Sequence, residues 1–521
     1  MKKNLVSGSV AVLAALIICK ITAFLQEMII AAYLGATAVG DAFNTINSIH
    51  QTIYPMLAVG ISQVFLPAYK SLLVKKGQKD ADSLANYAIV FFTGLSVLVV
   101  ILLVIFAPFV VSVVAPGFNA EQKDLTAHLV RLSATSYMFI CCASVFSTIL
   151  IAHGRFFISE IRGAFTHLPV IIAAIFFYKK YGVDALAISL VIAGICRLVI
   201  LLPFMHDGYR FSLKKKPDWH YIKSLLSILP SAFVSSGINQ LNILVDKMMA
   251  SKLPVGSVSC LNYGTRLYMV LQELFANVIA TSSYPRIIEL IAEDKKTELS
   301  KLLNKIISVI WFFTIPLTIG GIVYSDQIVQ IAFVRGAFTE TMGNITKGVF
   351  IGYICALAFS SLNGIMNNVY FGFGDTKSPM MFNFLNIILN IILNIIFVKL
   401  YAIMGLAIAT SISSVICLCM RVVFLRKKLE LRFDGLIKHF FVILISAIIA
   451  VASSYGCVRL LKFSSHFGIC IAAIFISTCI YLVEMRIFRV KVFSDAVDLI
   501  KAKLGTPDRK TGDEKNETNN K

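Results

Sequence analysis

The stretch YGVDALAISL at residues 181–190 returns 220 positions later as YAIMGLAIAT at residues 401–410. The echo continues at nearly the same offset on either side. Ala115-Pro116-Gly117-Phe118 is answered by Arg335-Gly336-Ala337-Phe338, Gly154 by Gly374, and Lys179 by Lys399. Glu27 and Asp246, each inside an apolar segment, lie 219 apart, and Pro67 and Pro285 lie 218 apart. A spacing held this far along a chain marks an internal duplication. In a membrane protein, duplication of this size describes a carrier built from two similar bundles with the substrate site between them.

Composition places the chain in a bilayer. Of its 521 residues 58% are apolar and 15% charged, and the mean hydropathy is +0.81. Apolar runs of about 20 residues, the length that crosses a hydrocarbon core, recur throughout. Fourteen spans are expected, near 9–33, 40–69, 84–114, 126–152, 157–178, 183–205, 222–251, 257–285, 303–325, 343–373, 379–398, 402–425, 437–457 and 466–486. The expected fold is therefore an all-α integral membrane protein. Residues 1–210 and 221–430 form two six-helix lobes, 433–490 adds a helical hairpin outside the duplication, and 491–521 is a polar tail. The first apolar run carries Lys20 and Glu27 and is too long for a cleavable signal.

Lysines and arginines in the short loops set the orientation. With the N-terminus inside and alternating spans, the inner segments hold 23 basic residues and the outer loops eight. The positive-inside rule then puts both ends in the cytoplasm. This asymmetry accounts for much of the +20 net charge, so no nucleic-acid partner is needed to explain it. The 11 cysteines sit almost entirely within apolar spans and behave as small hydrophobes. No metal-type Cys or His spacing, phosphate-binding loop or nucleophile elbow is present in the sequence, which argues against a pump or an enzyme and for no metal or cofactor. Transport would instead draw on a membrane potential or an ion gradient.

Function has to reside in polar side chains at membrane depth, where an ionised group costs about 3 kcal/mol. The first span holds Lys20 and Glu27, seven positions apart and hence on one face; the two could form an internal pair. The second opens with Asp41 and carries Asn44 and His50, the seventh holds Asn239, Gln240, Asp246 and Lys247, and the eighth Arg266 and Glu273. Polar residues thus gather in the first two spans of each repeat. Lys20, Glu27, Asp41, His50, Asp246 and Arg266 are the expected substrate-binding set of a central cavity, partly cationic and fitted to a phosphate or pyrophosphate. Each has a plainer reading. Asp41 could cap its own helix, Lys247 could snorkel, and His50 could be a packing residue. The asparagine stripe Asn383, Asn386, Asn390 and Asn394 fits helix–helix hydrogen bonding better than substrate contact. A cavity-facing Arg266 should be removable with little loss of folded protein.

Residues 245–287, VDKMMASKLPVGSVSCLNYGTRLYMVLQELFANVIATSSYPRI, resemble the seventh-and-eighth-span signature of the MurJ (MviN) lipid II flippases. Asp41-Ala42-Phe43, Phe65-Leu66-Pro67, Ala115-Pro116-Gly117-Phe118 and Arg335-Gly336-Ala337-Phe338-Thr339 extend the likeness over about 1–430. The resemblance implies the fold of the multidrug/oligosaccharidyl-lipid/polysaccharide exporter superfamily, with the added hairpin lining a groove for a lipid tail. It implies movement of undecaprenyl-pyrophosphate-linked peptidoglycan precursor from the inner to the outer leaflet of the bacterial inner membrane by alternating access. It implies cell-wall synthesis machinery as a partner, and it puts Asp41 and Arg266 on cavity positions. Two departures stand out. The family's Arg-Asp is here Gln26-Glu27, and its arginine-bearing run in the second span is here Ser48-Ile49-His50-Gln51-Thr52. A flippase for another undecaprenyl-linked glycan is the alternative these losses favour. A cation-coupled multidrug antiporter is a further alternative, for which twelve spans would suffice.

Overall fold

The structure is a computed structural model and describes residues 2–205, 209, 211–213, 223, 227, 242–273, 278–429, 435–461 and 465–488. Among the described residues every regular element is helical. The first half supplies α1 (Lys2–Leu34), α2 (Ala38–Lys76), α3 (Gln78–Ile105), α4 (Ala107–Val114), α5 (Ala120–Ser133), α6 (Ser136–Ala152), α7 (Phe156–Ile172), α8 (Tyr178–Tyr181) and α9 (Val183–Val199). The second supplies α10 (242–250), α11 (Ser257–Gln272), α12 (Val278–Ala292), α13 (Lys296–Val323), α14 (Ser325–Ala332), α15 (Glu340–Ile354), α16 (Leu357–Gly372) and α17 (Lys377–Leu429). Then come α18 (Leu436–Leu460) and α19 (His466–Ile487). Helix starts follow local chemistry. Thr37 accepts from Gly40 N–H ahead of α2, and Asn119 with Gln122 forms a capping box ahead of α5.

Eight helices are long and apolar enough to cross a bilayer, or ten when α5 with α6 and α15 with α16 each count as one broken span. Four of the fourteen expected spans fall outside that number for identifiable reasons. α2 is 39 residues long and is not among the eight. The seventh span is described only from residue 242, so Asn239 and Gln240 lie outside the described residues, as does the polar tail 491–521. The eighth is represented by α11 and α12, of 16 and 15 residues, on either side of 274–277, which are not described. The eleventh and twelfth run together in the 53 residues of α17, broken at Ala402 (φ 48°, ψ −130°). Length and apolarity alone therefore do not establish fourteen.

By packing, the chain forms two compact units. One comprises Met1–Glu273, Ser325–Ala356 and Thr376–Met420; the other comprises Leu274–Tyr324, Leu357–Asp375 and Arg421–Lys521. This partition cuts across the repeat boundary. In the second unit α18 and α19 pack on α13, burying Phe312, Ile443, Ala447 and Met485. Tyr481 Oη donates to Phe312 O at 2.9 Å, and the Tyr324 and Ser454 hydroxyls meet at 2.7 Å. Each polar tip is thereby satisfied in an apolar setting, where an unpaired hydroxyl costs several kcal/mol. In the first unit α1 lies along α7, with Cys19 Sγ donating to Glu160 O at 3.2 Å and His167 Nδ1 2.8 Å from Gln26 Oε1.

The duplication is visible as a local twofold within the first unit. Asn262 donates to Asn44 Oδ1 at 3.0 Å, and Ser259 N–H donates to Asp41 Oδ1 at 2.8 Å, both across 218 positions. Gly256 lies over Ala36, 220 positions away, so closely that a Cβ would stand 2.4 Å from Ala36 O. Repeat mates that touch one another must sit on the axis relating the repeats. Off the axis, contacts come in exchanged pairs. Gly117 N–H donates to Ser251 Oγ at 3.2 Å, and Ala337 N–H donates to Ala32 O at 2.8 Å. Gly117 and Ala337 are 220 apart, and Ala32 and Ser251 are 219 apart. This reciprocity is the signature of a self-complementary interface.

Candidate functional site

The polar residues of α1, α2, α10 and α11 form one hydrogen-bonded ladder along that axis. At its tight end Asp41, in the first turn of α2, does not cap its own helix. Its Oδ2 accepts Gly256 N–H at 2.6 Å, and its Oδ1 accepts Ser259 N–H at 2.8 Å and Ser259 Oγ at 2.7 Å. A carboxylate from one repeat thus supplies the N-terminal cap that the sequence around Gly256 lacks, against the positive end of α11. Asn44 donates to Ser259 Oγ at 3.0 Å, and Asn262 bridges Asn44 to Glu27 Oε2, the latter at 3.2 Å. Lys247 Nζ donates to Asn262 Oδ1 at 3.1 Å and to Ser48 Oγ. Arg266 closes on Glu27, with Nη2 2.8 Å and Nε 3.2 Å from Oε1.

Exposure is low along most of the ladder and rises at its far end. Asp41 and Glu27 are 2% and 1% exposed, whereas the Arg266 side chain keeps 25% of its surface. Beyond it Lys20 pairs with Glu273, and these side chains are 47% and 38% exposed. The two ion pairs lie in opposite order on α1 and the α11 segment, since Lys20 precedes Glu27 while its partner Glu273 follows Arg266. The segments therefore run antiparallel. Lys20 stands 14 residues before Leu34, or about 21 Å along α1, and Glu27 about 10 Å. The repeats are sealed at the end that carries Ala36 and Gly256 and loosen away from it.

Of the six expected site residues, Glu27, Asp41 and Arg266 enter this ladder. Lys20 does not pair with Glu27, although both lie on one face, and Asp41 holds backbone N–H groups rather than a cation. Asp246 belongs to a separate hub. Its carboxylate accepts from Asn394 at 2.7 Å, Thr410 at 3.0 Å and Tyr353 at 3.2 Å, and Asn394 also donates to Asn390. Of the asparagine stripe, Asn390 and Asn394 bond from helix to helix. Lys247, next in sequence, does not snorkel; it is 5% exposed and donates to Ser48 and Asn262. His50 stands apart, stacked on Tyr137 at 4.6 Å beside a narrow void lined by Ile46, Ile49, Leu103, Val130 and Ser133. Asn262, Ser259, Asn44, Ser48 and Lys247 were not in the expected set. The repeat offset held the signal, because Asp41 with Ser259 and Asn44 with Asn262 are mates at 218 and so meet on the axis.

Among the described residues every element is helical, and two repeats that meet on an axis of buried polar residues have the architecture of a membrane carrier. A likeness to solved structures fixes the fold. An inward-facing multidrug resistance MATE family transporter of the MOP superfamily superposes with TM-score 0.69 over 79% of this chain and 94% of that one, at 12% identity. A solved lipid II flippase MurJ in an inward closed conformation superposes with TM-score 0.79 and 25% identity, over 94% of this chain and all of the other. The model of the family "Lipid II flippase MurJ" matches residues 30–477, and the chain belongs to that family. Probable lipid II flippases MurJ from Rickettsia prowazekii (strain Madrid E) and Aquifex aeolicus (strain VF5) are 26% and 24% identical to it. These matches cover 76% and 81% of this chain, and 79% and 84% of theirs. The chain is thus a multi-pass membrane transporter and not an enzyme.

Proposed function

We propose that the protein flips lipid II, the undecaprenyl-pyrophosphate-linked peptidoglycan precursor, from the inner to the outer leaflet by alternating access. The observation that carries this reading is the match to the flippase family over residues 30–477. The geometry supports it in two ways. First, positive-inside orientation puts the loops around Ala36, Gly117, Gly256 and Gly336 on the outer face. The sealed end of the ladder is then the outer gate, and the rise in exposure toward Lys20 marks the inner opening. Second, Glu27 and Arg266 form a pair whose acid is fully desolvated, so a substrate phosphate that takes Arg266 from Glu27 exchanges one anion for another. The exchange leaves the Glu27 carboxylate to Asn262, and the cost of that uncovered charge is what biases the two access states.

On the same reading the two lobes are 1–210 and 221–430, the α18–α19 hairpin lines the path of the polyprenyl tail, and both termini face the cytoplasm of a bacterial inner membrane. The membrane potential or an ion gradient drives the cycle without a cofactor, and the cell-wall synthesis machinery consumes the product. The test is rescue. A bacterium depleted of its own lipid II flippase should grow when this chain is its only replacement. Failure at normal membrane expression refutes the cargo and points to another undecaprenyl-linked glycan, the reading favoured by Gln26 and the arginine-free second span.

A further inference from the structure

The ladder does not use the guanidinium of Arg197, on α9. Its Nη2 donates to Tyr54 Oη of α2, its Cζ stands 4.3 Å over the Tyr54 ring, and its Nε is buried without a hydrogen-bond partner. No carboxylate lies within ion-pair distance of it among the described residues. The ionisable group that acts on it is the Cys19 thiol, and Cys19 itself lies within electrostatic reach of both Lys20 and Arg197. A membrane-embedded guanidinium with a free N–H and only a ring and a hydroxyl for company is expensive to keep. The cations of the ladder are engaged, Arg266 by Glu27, Lys20 by Glu273, and Lys247 by Ser48 and Asn262.

We propose that Arg197, braced by Tyr54, is a phosphate-contacting residue of the first repeat, taking the diphosphate of a polyprenyl-linked substrate. The second span of this chain offers no cation of its own, and α9 delivers one to that span at Tyr54. The free Nε–H and the Nη groups present the planar fork that binds an oxyanion bidentately, which an ammonium cannot do. The cation–π contact holds the fork in place before the substrate arrives, so less is lost in ordering it. This proposal rests on the flippase reading for its substrate class but not for the sugar attached to it.

The experiment is binding of undecaprenyl diphosphate to the full-length protein in nanodiscs, beside undecaprenol, phosphatidylglycerol and inorganic pyrophosphate. Arg197→Gln is expected to weaken the diphosphate lipid about 10-fold or more, the scale of a lost charged hydrogen bond. Undecaprenol should bind both proteins alike. Arg197→Lys, which keeps the charge without the fork, should fall between, and it decides the matter should Arg197→Gln not fold. Wild-type affinity in either folded variant overturns the proposal and leaves Arg197 a helix clasp. An equal loss with phosphatidylglycerol also overturns it, in favour of a general anionic-lipid site, and an equal loss with pyrophosphate alone removes the lipid from the proposal. The two readings fail separately. A wild-type protein that rescues a flippase-depleted cell while Arg197→Gln binds normally sinks only this site. One that binds undecaprenyl diphosphate through Arg197 without rescue sinks only the lipid II cargo.

Discussion

Replacing Arg266 by Gln should destabilise the protein far more than its position at a substrate site suggests. Glu27 is 1% exposed and accepts both Arg266 donors on one oxygen. Removing the guanidinium leaves a desolvated carboxylate whose remaining hydrogen bond is from Asn262, a loss of about 3–5 kcal/mol. Glu27→Gln should cost less, about 1–3 kcal/mol, because the Arg266 side chain keeps a quarter of its surface and stays partly hydrated. The double variant leaves no bare charge and should regain most of the stability, while flipping stays lost. Thermal and denaturant unfolding of the four purified proteins in one detergent measures the coupling, and appearance of lipid precursor at the outer leaflet measures transport. If the double variant is destabilised by the sum of the single losses, the two side chains are not coupled. If it also flips at the wild-type rate, the pair has no part in the mechanism. The expectation that Arg266 is harmless to remove fails for one reason: its partner is buried.

Other expectations follow from the same geometry. Asp41→Asn weakens charged hydrogen bonds to Gly256 and Ser259; a loss of about 2 kcal/mol would shift the closed-to-open ratio of the outer gate roughly 30-fold. Faster labelling from outside of a cysteine placed at Ser257 checks this, and unchanged labelling refutes it. Gly117→Ala and Gly336→Ala each put a methyl 2.3 Å from a backbone oxygen, of Ser251 and Ala32 respectively, so both should block outer closure and flipping alike. Gly94→Ala, with nothing within 4 Å, is the control, and normal flipping in either of the first two breaks the exchange symmetry. His50→Phe keeps the stack on Tyr137 and should flip within about twofold of wild type, given how little aromatic exchanges cost when volume is kept. Abolished flipping would instead put His50 in the substrate path.

Much of this molecule is legible in its sequence. Apolar runs of bilayer length specify helices because no other element satisfies its own backbone in hydrocarbon. The recurrence of YGVDALAISL as YAIMGLAIAT declares the duplication, and the 245–287 signature with the two Pro-Gly and Arg-Gly turns declares the family. Glu27, Asp41 and Arg266 are conspicuous because charge at membrane depth is rare. What sequence could not supply was partnership. The spacing of Lys20 and Glu27 places them on one face, but a helix face says nothing of what stands opposite, and each found its partner some 240 or more positions away on α11 and its C-cap. Asp41 has the look of a local cap, and only the meeting of the repeats turns it into the cap of another helix. His50 is as polar as its neighbours on α2, yet lies against Tyr137 because a residue two positions past Ser48 points to a different side of the helix. Asn262 and Ser259 carry no charge to draw notice. They matter because the axis passes between them and their mates, and an axis exists only once two halves have docked.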